Sequence, residues 1–317
     1  MRCKHVSSSP LEGFDVTDVT FLSPSRLATY ADCQRKFDYE YVQKVNVPEQ
    51  TRLYLNQGRA YHGTIEVVCE ATNPEDDAQL IYDRAVEAFP EQWREHIDPD
   101  EYASNAHQEY QRLENLEAIK TFFDPDGGHG IDHARQSVET EKSLECVENG
   151  LGLRGRADNI LRTDEGIHVI DYKRKLRDVI TSNTASVLED HLDGTDHDPK
   201  RVKNAFQTAT YIEGVKQSDL YEEGMTVQFS FYGLLNRTSF ESTPDGYQIS
   251  VRGYPRETTD IYEEYYDTIW NLLQRAHEGI RSGSHDPDPF PLIHDEACPD
   301  CKYREMCTEF LAEGVKR

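Results

Sequence analysis

Lysine, long apolar runs and paired cysteines are scarce in this 317-residue chain, and each scarcity excludes something. No stretch approaches the roughly 18 consecutive apolar residues that a membrane helix needs, so no membrane association is expected. Met1–Ser9 holds one Arg, one Lys and no apolar run. It does not read as a secretory signal, and the expected compartment is the cytoplasm. No G-x-x-x-x-G-K-[ST] segment occurs, so a partner would have to supply any ATP-driven unwinding of a duplex. Lys accounts for only 12 of the 34 basic residues, against 59 acidic ones, and the formal net charge is −25. The acidic residues are spread along the whole chain. That pattern reads as a haloadapted surface, with an origin in a halophilic archaeon and a strong salt requirement. Net negative charge ordinarily argues against nucleic-acid binding. In molar salt the counterion-release contribution is weak, so the acidity does not exclude a DNA substrate.

Cysteines number seven, an odd count that does not suggest a disulfide framework. Three of them, in Cys298-x₂-Cys301-x₅-Cys307, fall within ten residues and supply three thiolates to one centre. A fourth ligand is needed. Spacing alone leaves tetrahedral Zn²⁺ and an iron–sulfur cluster both open, with Cys33 or His294 completing a zinc site.

Along the chain, residues 1–20 are polar and aperiodic and read as a flexible leader. Ser23-Pro24 marks a helix start, followed by Leu27, Tyr30, Phe37 and Tyr41 at helical spacings. A helix is expected over about 56–71. Two more lie in 75–123, broken near Asp98-Pro99 and ended by Asp124-Pro-Asp-Gly-Gly. Strands follow at 141–148, 151–161 and 167–173, joined by Asn149-Gly150 and by the turn 163–166. An acidic loop is expected over 181–199 and a helix over 200–217. Strands at 225–235 and 247–254 meet through Pro244-Asp245-Gly246, and a long amphipathic helix covers 257–281. The order makes a mixed α/β domain with a helical N-terminal region.

The hairpin 155–173 carries the most informative chemistry. Asp158 and Asp171 are symmetric about the turn 163–166, which sets them opposite each other, with Cβ atoms roughly 5 Å apart. Two such carboxylates repel unless a divalent cation, Mg²⁺ or Mn²⁺ by the hardness of the ligands, lies between them. Lys173 shares the face of Asp171 and would point at the same place. From Asp-x-Lys alone, an exposed ion-pair cluster at a strand end stays open.

Five segments together resemble the RecB-like branch of the PD-(D/E)XK nucleases. Gly155-Arg-Ala-Asp158 and Val169-Ile-Asp171-Tyr-Lys173 are similar to its second and third motifs. Gly58-x₃-His62-x₃-Glu66 is similar to the first and Gln207-x₃-Tyr211 to the fourth. Leu22-Ser-Pro-Ser-Arg-Leu-x₂-Tyr30-x₂-Cys33-x-Arg35-Lys-Phe37 resembles the N-terminal helix. The resemblance implies a restriction-endonuclease-like αβββαβ core in a single domain over 21–317, with a helical insertion at about 75–125 and a Cys-rich tail at 290–312. It implies His62, Asp158, Asp171 and the Tyr172 carbonyl as metal ligands, and Lys173 as the catalytic lysine. Gln207 and Tyr211 would position the substrate strand or that lysine. Cys33 becomes the fourth ligand of a [4Fe–4S] cluster, zinc remaining the alternative. The implied activity is metal-dependent DNA hydrolysis, in exonuclease form on single strands or ends, in repair, recombination or CRISPR adaptation beside a helicase or recombination partner. The alternative is a non-catalytic nucleic-acid-binding or scaffold protein that keeps only a structural metal.

Overall fold

Ser23 opens the first long element from extended backbone, its hydroxyl accepting from the Arg26 N–H, and Pro24 takes the first helical turn. The computed structural model describes residues 19–47, 53–243 and 246–316. The leader expected over 1–20 therefore lies outside the described residues, apart from Val19 and Thr20. A two-residue strand, β1 (Phe21–Leu22), precedes helix α1 (Pro24–Asp32). Cys33 interrupts the helix with φ −167° and ψ 122°. A short α2 (Gln34–Phe37) and one π-helical turn over Asp38–Val42 follow.

The centre is a six-stranded mixed sheet. Strands β2 (Ser137–Glu148), β3 (Leu151–Arg162) and β4 (Gly166–Lys173) form an antiparallel meander. Helix α8 (Pro199–Lys216) crosses over so that β5 (Thr226–Thr243) lies parallel to β4, and β6 (Gly246–Glu257) returns antiparallel. β1 pairs parallel with the first residues of β3. Asn149 and Gly150 both have positive φ, 50° and 77°, as a tight hairpin turn requires.

Helices cover both faces. On one side α3 (Leu53–Ala71), α4 (Ala78–His96), α5 (Asn105–Phe122) and α6 (His129–Gln136) bury Ile65, Phe89 and Ile119 against Ile170 and Tyr172 of β4. The segment expected as an insertion thus supplies part of one helical layer. On the other side α1, α8 (Pro199–Lys216), α9 (Thr259–Glu264) and α10 (Tyr266–Ser282) bury Leu27, Phe206 and Leu273 against Val169 and Phe229. Complete burial of such a side chain contributes about 1.5–3 kcal/mol. No helix among the described residues is long and apolar enough to cross a membrane.

Three expectations are corrected. The acidic loop 181–199 holds helix α7 (Val187–Asp193), because Leu188 is fully buried and Gly194, at φ 72°, ends the helix. The helix expected over 257–281 is two, parted at Tyr265, whose φ of −105° and ψ of 23° leave the helical region. β5 runs eight residues beyond Leu235, past a register shift between Gly233 and Arg237. The tail folds as α11 (Phe290–Glu296), two 3₁₀ turns and α12 (Thr308–Lys316).

Candidate active site

Registers decide which side chains meet. β3 and β4 pair Arg162 with Ile167, Leu161 with His168, Ile160 with Val169 and Asn159 with Ile170. One more step sets Asp158 against Asp171. The ladder stops there because the Asp158 carboxylate itself accepts the Tyr172 N–H, at 2.7 Å. Asp171 is buried, at 5% exposure, and its carboxylate accepts from Lys173 Nζ at 2.8–2.9 Å and from Gln207 Nε2 at 2.9 Å. Gln207 Oε1 is 3.5 Å from the same Nζ, so α8 holds acid and lysine together. Tyr211, one turn on, donates its hydroxyl to the Arg156 carbonyl at 2.8 Å and lays its ring on Gly155, and its side chain also lies within reach of Gln207, so it supports both β3 and the glutamine beside Lys173.

His62 arrives from α3. Its Nε2 lies 2.8 Å from the Tyr172 carbonyl oxygen and its Nδ1 lies 3.4 Å from Asp158 Oδ2. Burial lowers the His62 pKa, which favours the neutral ring. A neutral imidazole has one N–H, yet both nitrogens face oxygen acceptors. In either tautomer a lone pair confronts an oxygen, and a cation in the gap removes the conflict. Burial and the negative charge of Asp171 likewise push the Asp158 carboxyl well above the usual range. The donor set therefore fits a divalent cation.

Glu141 was missed by the sequence reading. β2 and β3 pair Thr140 with Asn159 and Lys142 with Ala157, which leaves Glu141 facing Asp158. Its φ of 48° is rare for a residue with a side chain, and Arg156 fixes it, donating from Nε to its carbonyl at 3.0 Å and pairing with its carboxylate at 2.7 Å. Ligand atoms of His62, Glu141 and Asp158 lie within 4.8 Å of one another, and no other such trio of His, Cys, Asp or Glu occurs among the described residues. Asp171, expected in that group, is turned to Lys173 instead. The signal was available: Glu141 and Asp158 are equidistant from the Asn149-Gly150 turn. His62, Glu141, Arg156, Tyr172 and Lys173 open onto a cleft between α3 and the sheet.

The family model of the PD-(D/E)XK nuclease superfamily matches residues 21–308. The chain belongs to that superfamily. Among solved structures, a candidate exonuclease from Eubacterium rectale is 12% identical, with a TM-score of 0.49 over 84% of each chain. No curated protein matches.

In this PD-(D/E)XK chain the cysteines converge as well. Cys33, Cys298, Cys301 and Cys307 are all unpaired and line one cavity, walled by Tyr39 and Tyr303. Cys33 stands at the break between α1 and α2, Cys298 opens the first 3₁₀ turn of the tail, and Cys301 and Cys307 follow directly after the two turns. Burial pushes the Cys33 thiol up to about 11 and the Cys298 thiol up to about 12. His294, the alternative zinc ligand, pairs with Asp295 at 3.0 Å and does not line this cavity. Arg35 adds an ionic tie across the same junction, to Glu309 of α12 at 2.8 Å.

Proposed function

We propose that this PD-(D/E)XK protein is a divalent-cation-dependent deoxyribonuclease. It acts as an exonuclease on single strands or DNA ends, in the repair, recombination or CRISPR setting that its motifs suggest. The observation that carries this reading is the meeting of His62, Asp158, Asp171 and Lys173 at the end of β4, around a gap whose electrostatics call for a cation. His62, Asp158 and the Tyr172 carbonyl would hold Mg²⁺ or Mn²⁺, with Glu141 and Asp171 as further oxygen donors. When bound, the cation supplies Lewis-acid charge to the scissile phosphate and acidity to the attacking water. Lys173, held between Asp171 and Gln207, directs its ammonium at the phosphate and offsets charge that builds up there. Gln207 fixes the direction of the lysine, and Tyr211 holds β3 in place beneath Asp158.

The test is degradation of end-labelled single- and double-stranded oligonucleotides in high salt, with Mg²⁺ or Mn²⁺ and with chelator. Asp171→Ala and Lys173→Ala should each cost roughly 10²–10⁴ in kcat. Wild-type rates from both variants would remove these two residues from catalysis, and no metal-dependent cleavage of any DNA would leave a non-catalytic nucleic-acid-binding protein.

The four cysteines are inferred to hold a [4Fe–4S] cluster. Buried thiols with raised pKa values need a cationic centre to become thiolates. A single zinc with Zn–S bonds near 2.3 Å is the alternative centre for the same four sulfurs. Metal and sulfide analysis after anaerobic purification decides between the two.

A further inference from the structure

Three of the exposed apolar side chains share one helix. Tyr54, Leu55 and Val67 are 50%, 49% and 43% exposed. All stand on α3, the helix that carries His62, and all line the cleft of the candidate active site. Single exposed hydrophobics are ordinary on a protein surface. A tyrosine and a leucine side by side at one end of a polar cleft, with Val67 about 20 Å further along the same helix, need a reason. The same cleft holds two cations without a carboxylate partner among the described residues. Arg59, one turn beyond Leu55, bonds through its guanidinium to Asn56 Oδ1 at 3.3 Å, and Lys203 projects from the first turns of α8. In a chain of net charge −25 with 12 lysines, cations left unpaired beside such a cleft stand out. Glu66, Glu70 and Glu95 also line it, so charge alone would grip a polyanion weakly and apolar contact has to add to it.

We propose that α3 is a strand-gripping wall, on which an unpaired nucleobase stacks against Tyr54 and Leu55 while Arg59 and Lys203 take flanking phosphates. The proposal rests on the deoxyribonuclease reading above and deepens it by naming what selects unpaired DNA. A base inside a duplex has both faces covered by its neighbours and offers none to Tyr54, whereas every unpaired base has a free π-face. Eight residues of helix separate Tyr54 from His62, about 12 Å along the axis. The stacked base is thus a few nucleotides from the bond to be cut.

The experiment uses the full chain, loaded with Mn²⁺ and held in high salt. Oligothymidylate and a blunt duplex of equal length are compared for cleavage by wild type, Tyr54→Ala and Tyr54→Trp. Binding of fluorescein-labelled oligothymidylate is measured separately in an Asp171→Ala background, where nothing depends on turnover. Tyr54→Ala should weaken single-strand binding by roughly 5- to 150-fold, the loss of one base–aromatic stack. It should raise KM for oligothymidylate far more than it lowers kcat, and Tyr54→Trp should restore both. Duplex cleavage should respond less. If Tyr54→Ala binds and degrades oligothymidylate as wild type does while Asp171→Ala abolishes cleavage, the stacking wall is wrong and the nuclease reading stands. Tyr54-dependent binding with no cleavage by wild type would support the wall and sink the nuclease reading.

Discussion

Tyr172 joins the two sides of the sheet. Its N–H donates to Asp158 at 2.7 Å and its carbonyl faces His62 at 2.8 Å, so two candidate ligands are aimed by the backbone of one residue. Its side chain points the other way. The hydroxyl lies 2.9 Å from His133 Nδ1 and accepts from Asn159 Nδ2 at 3.2 Å, inside the layer of α3–α6. Polar partners outside the ligand set typically control metal affinity by about 10–100-fold. His133→Ala should therefore raise the half-saturating Mn²⁺ concentration by roughly tenfold or more, with a smaller change in kcat at saturation. An unchanged metal requirement would reduce the network to core packing. The same variant has a pH signature. Burial lowers the His133 pKa to about 3, against about 6.5 in an unfolded chain. The folded state then holds the ring neutral, so its contribution to stability is intact above pH 6.5 and is lost progressively as pH falls towards 3. His168 and His191, each lowered to about 4 by burial, act with the same sign. Asp158, pushed upwards, has the opposite sign. Wild type should thus lose melting temperature faster than His133→Ala between pH 6.5 and pH 4, and that difference between the two slopes is what thermal melts would read.

Among the elements, the two hairpins do most to build the site, and a glycine shows how tightly they are held. A Cβ on Gly155 would stand 2.6 Å from Tyr211 Cε1 and 3.2 Å from Thr210 Cγ2. The tyrosine cannot swing aside without losing its bond to the Arg156 carbonyl and its contact with Phe229. Gly155→Ala should therefore lift β3 from α8 and destabilise the fold by about 1–3 kcal/mol. Activity should fall further than stability alone explains, because Asp158 lies three residues along the same strand. A denaturant midpoint equal to wild type would contradict this. Much of this element was legible in advance, since turn chemistry fixes strand register and register fixes which side chains meet. The pair Asp158–Asp171 followed from the 163–166 turn, the mixed α/β character followed from element order, and the sheet flanked by helices was implied by the resemblance of the motifs. Glu141 obeyed the same rule about Asn149-Gly150. It went unread because its left-handed backbone is invisible in a residue type that rarely adopts it. Helix α7 was hidden because one buried Leu188 holds it down within an acidic stretch, leaving no apolar period to see. His62 and Cys33 were different again. Neither is informative by residue type, and only their places within longer motifs singled them out.

Over the whole molecule, two long-range features oppose each other. Fifty-nine acidic residues against 34 basic ones leave a net charge of −25, and self-repulsion on that scale favours an expanded chain. The cysteine cavity and the Arg35–Glu309 pair work against expansion, tying the α1–α2 junction to a tail some 265 residues away. Salt weakens the repulsion without touching this buried junction, since the Debye length falls from about 10 Å at 0.1 M to about 3 Å at 1 M. The melting temperature of the wild-type protein should therefore climb steeply as KCl rises over that range. Cys33→Ser would remove one ligand of the proposed cluster and should melt below wild type at every salt concentration. The gap should be widest in dilute salt, where repulsion is strongest and the tie matters most. Parallel curves for the two proteins would mean that the cysteines stabilise only their own corner of the fold. A wild-type melting temperature indifferent to KCl would mean that the acidic surface is already neutralised by its own ion pairs, and that the sequence's excess of acid has no bearing on stability.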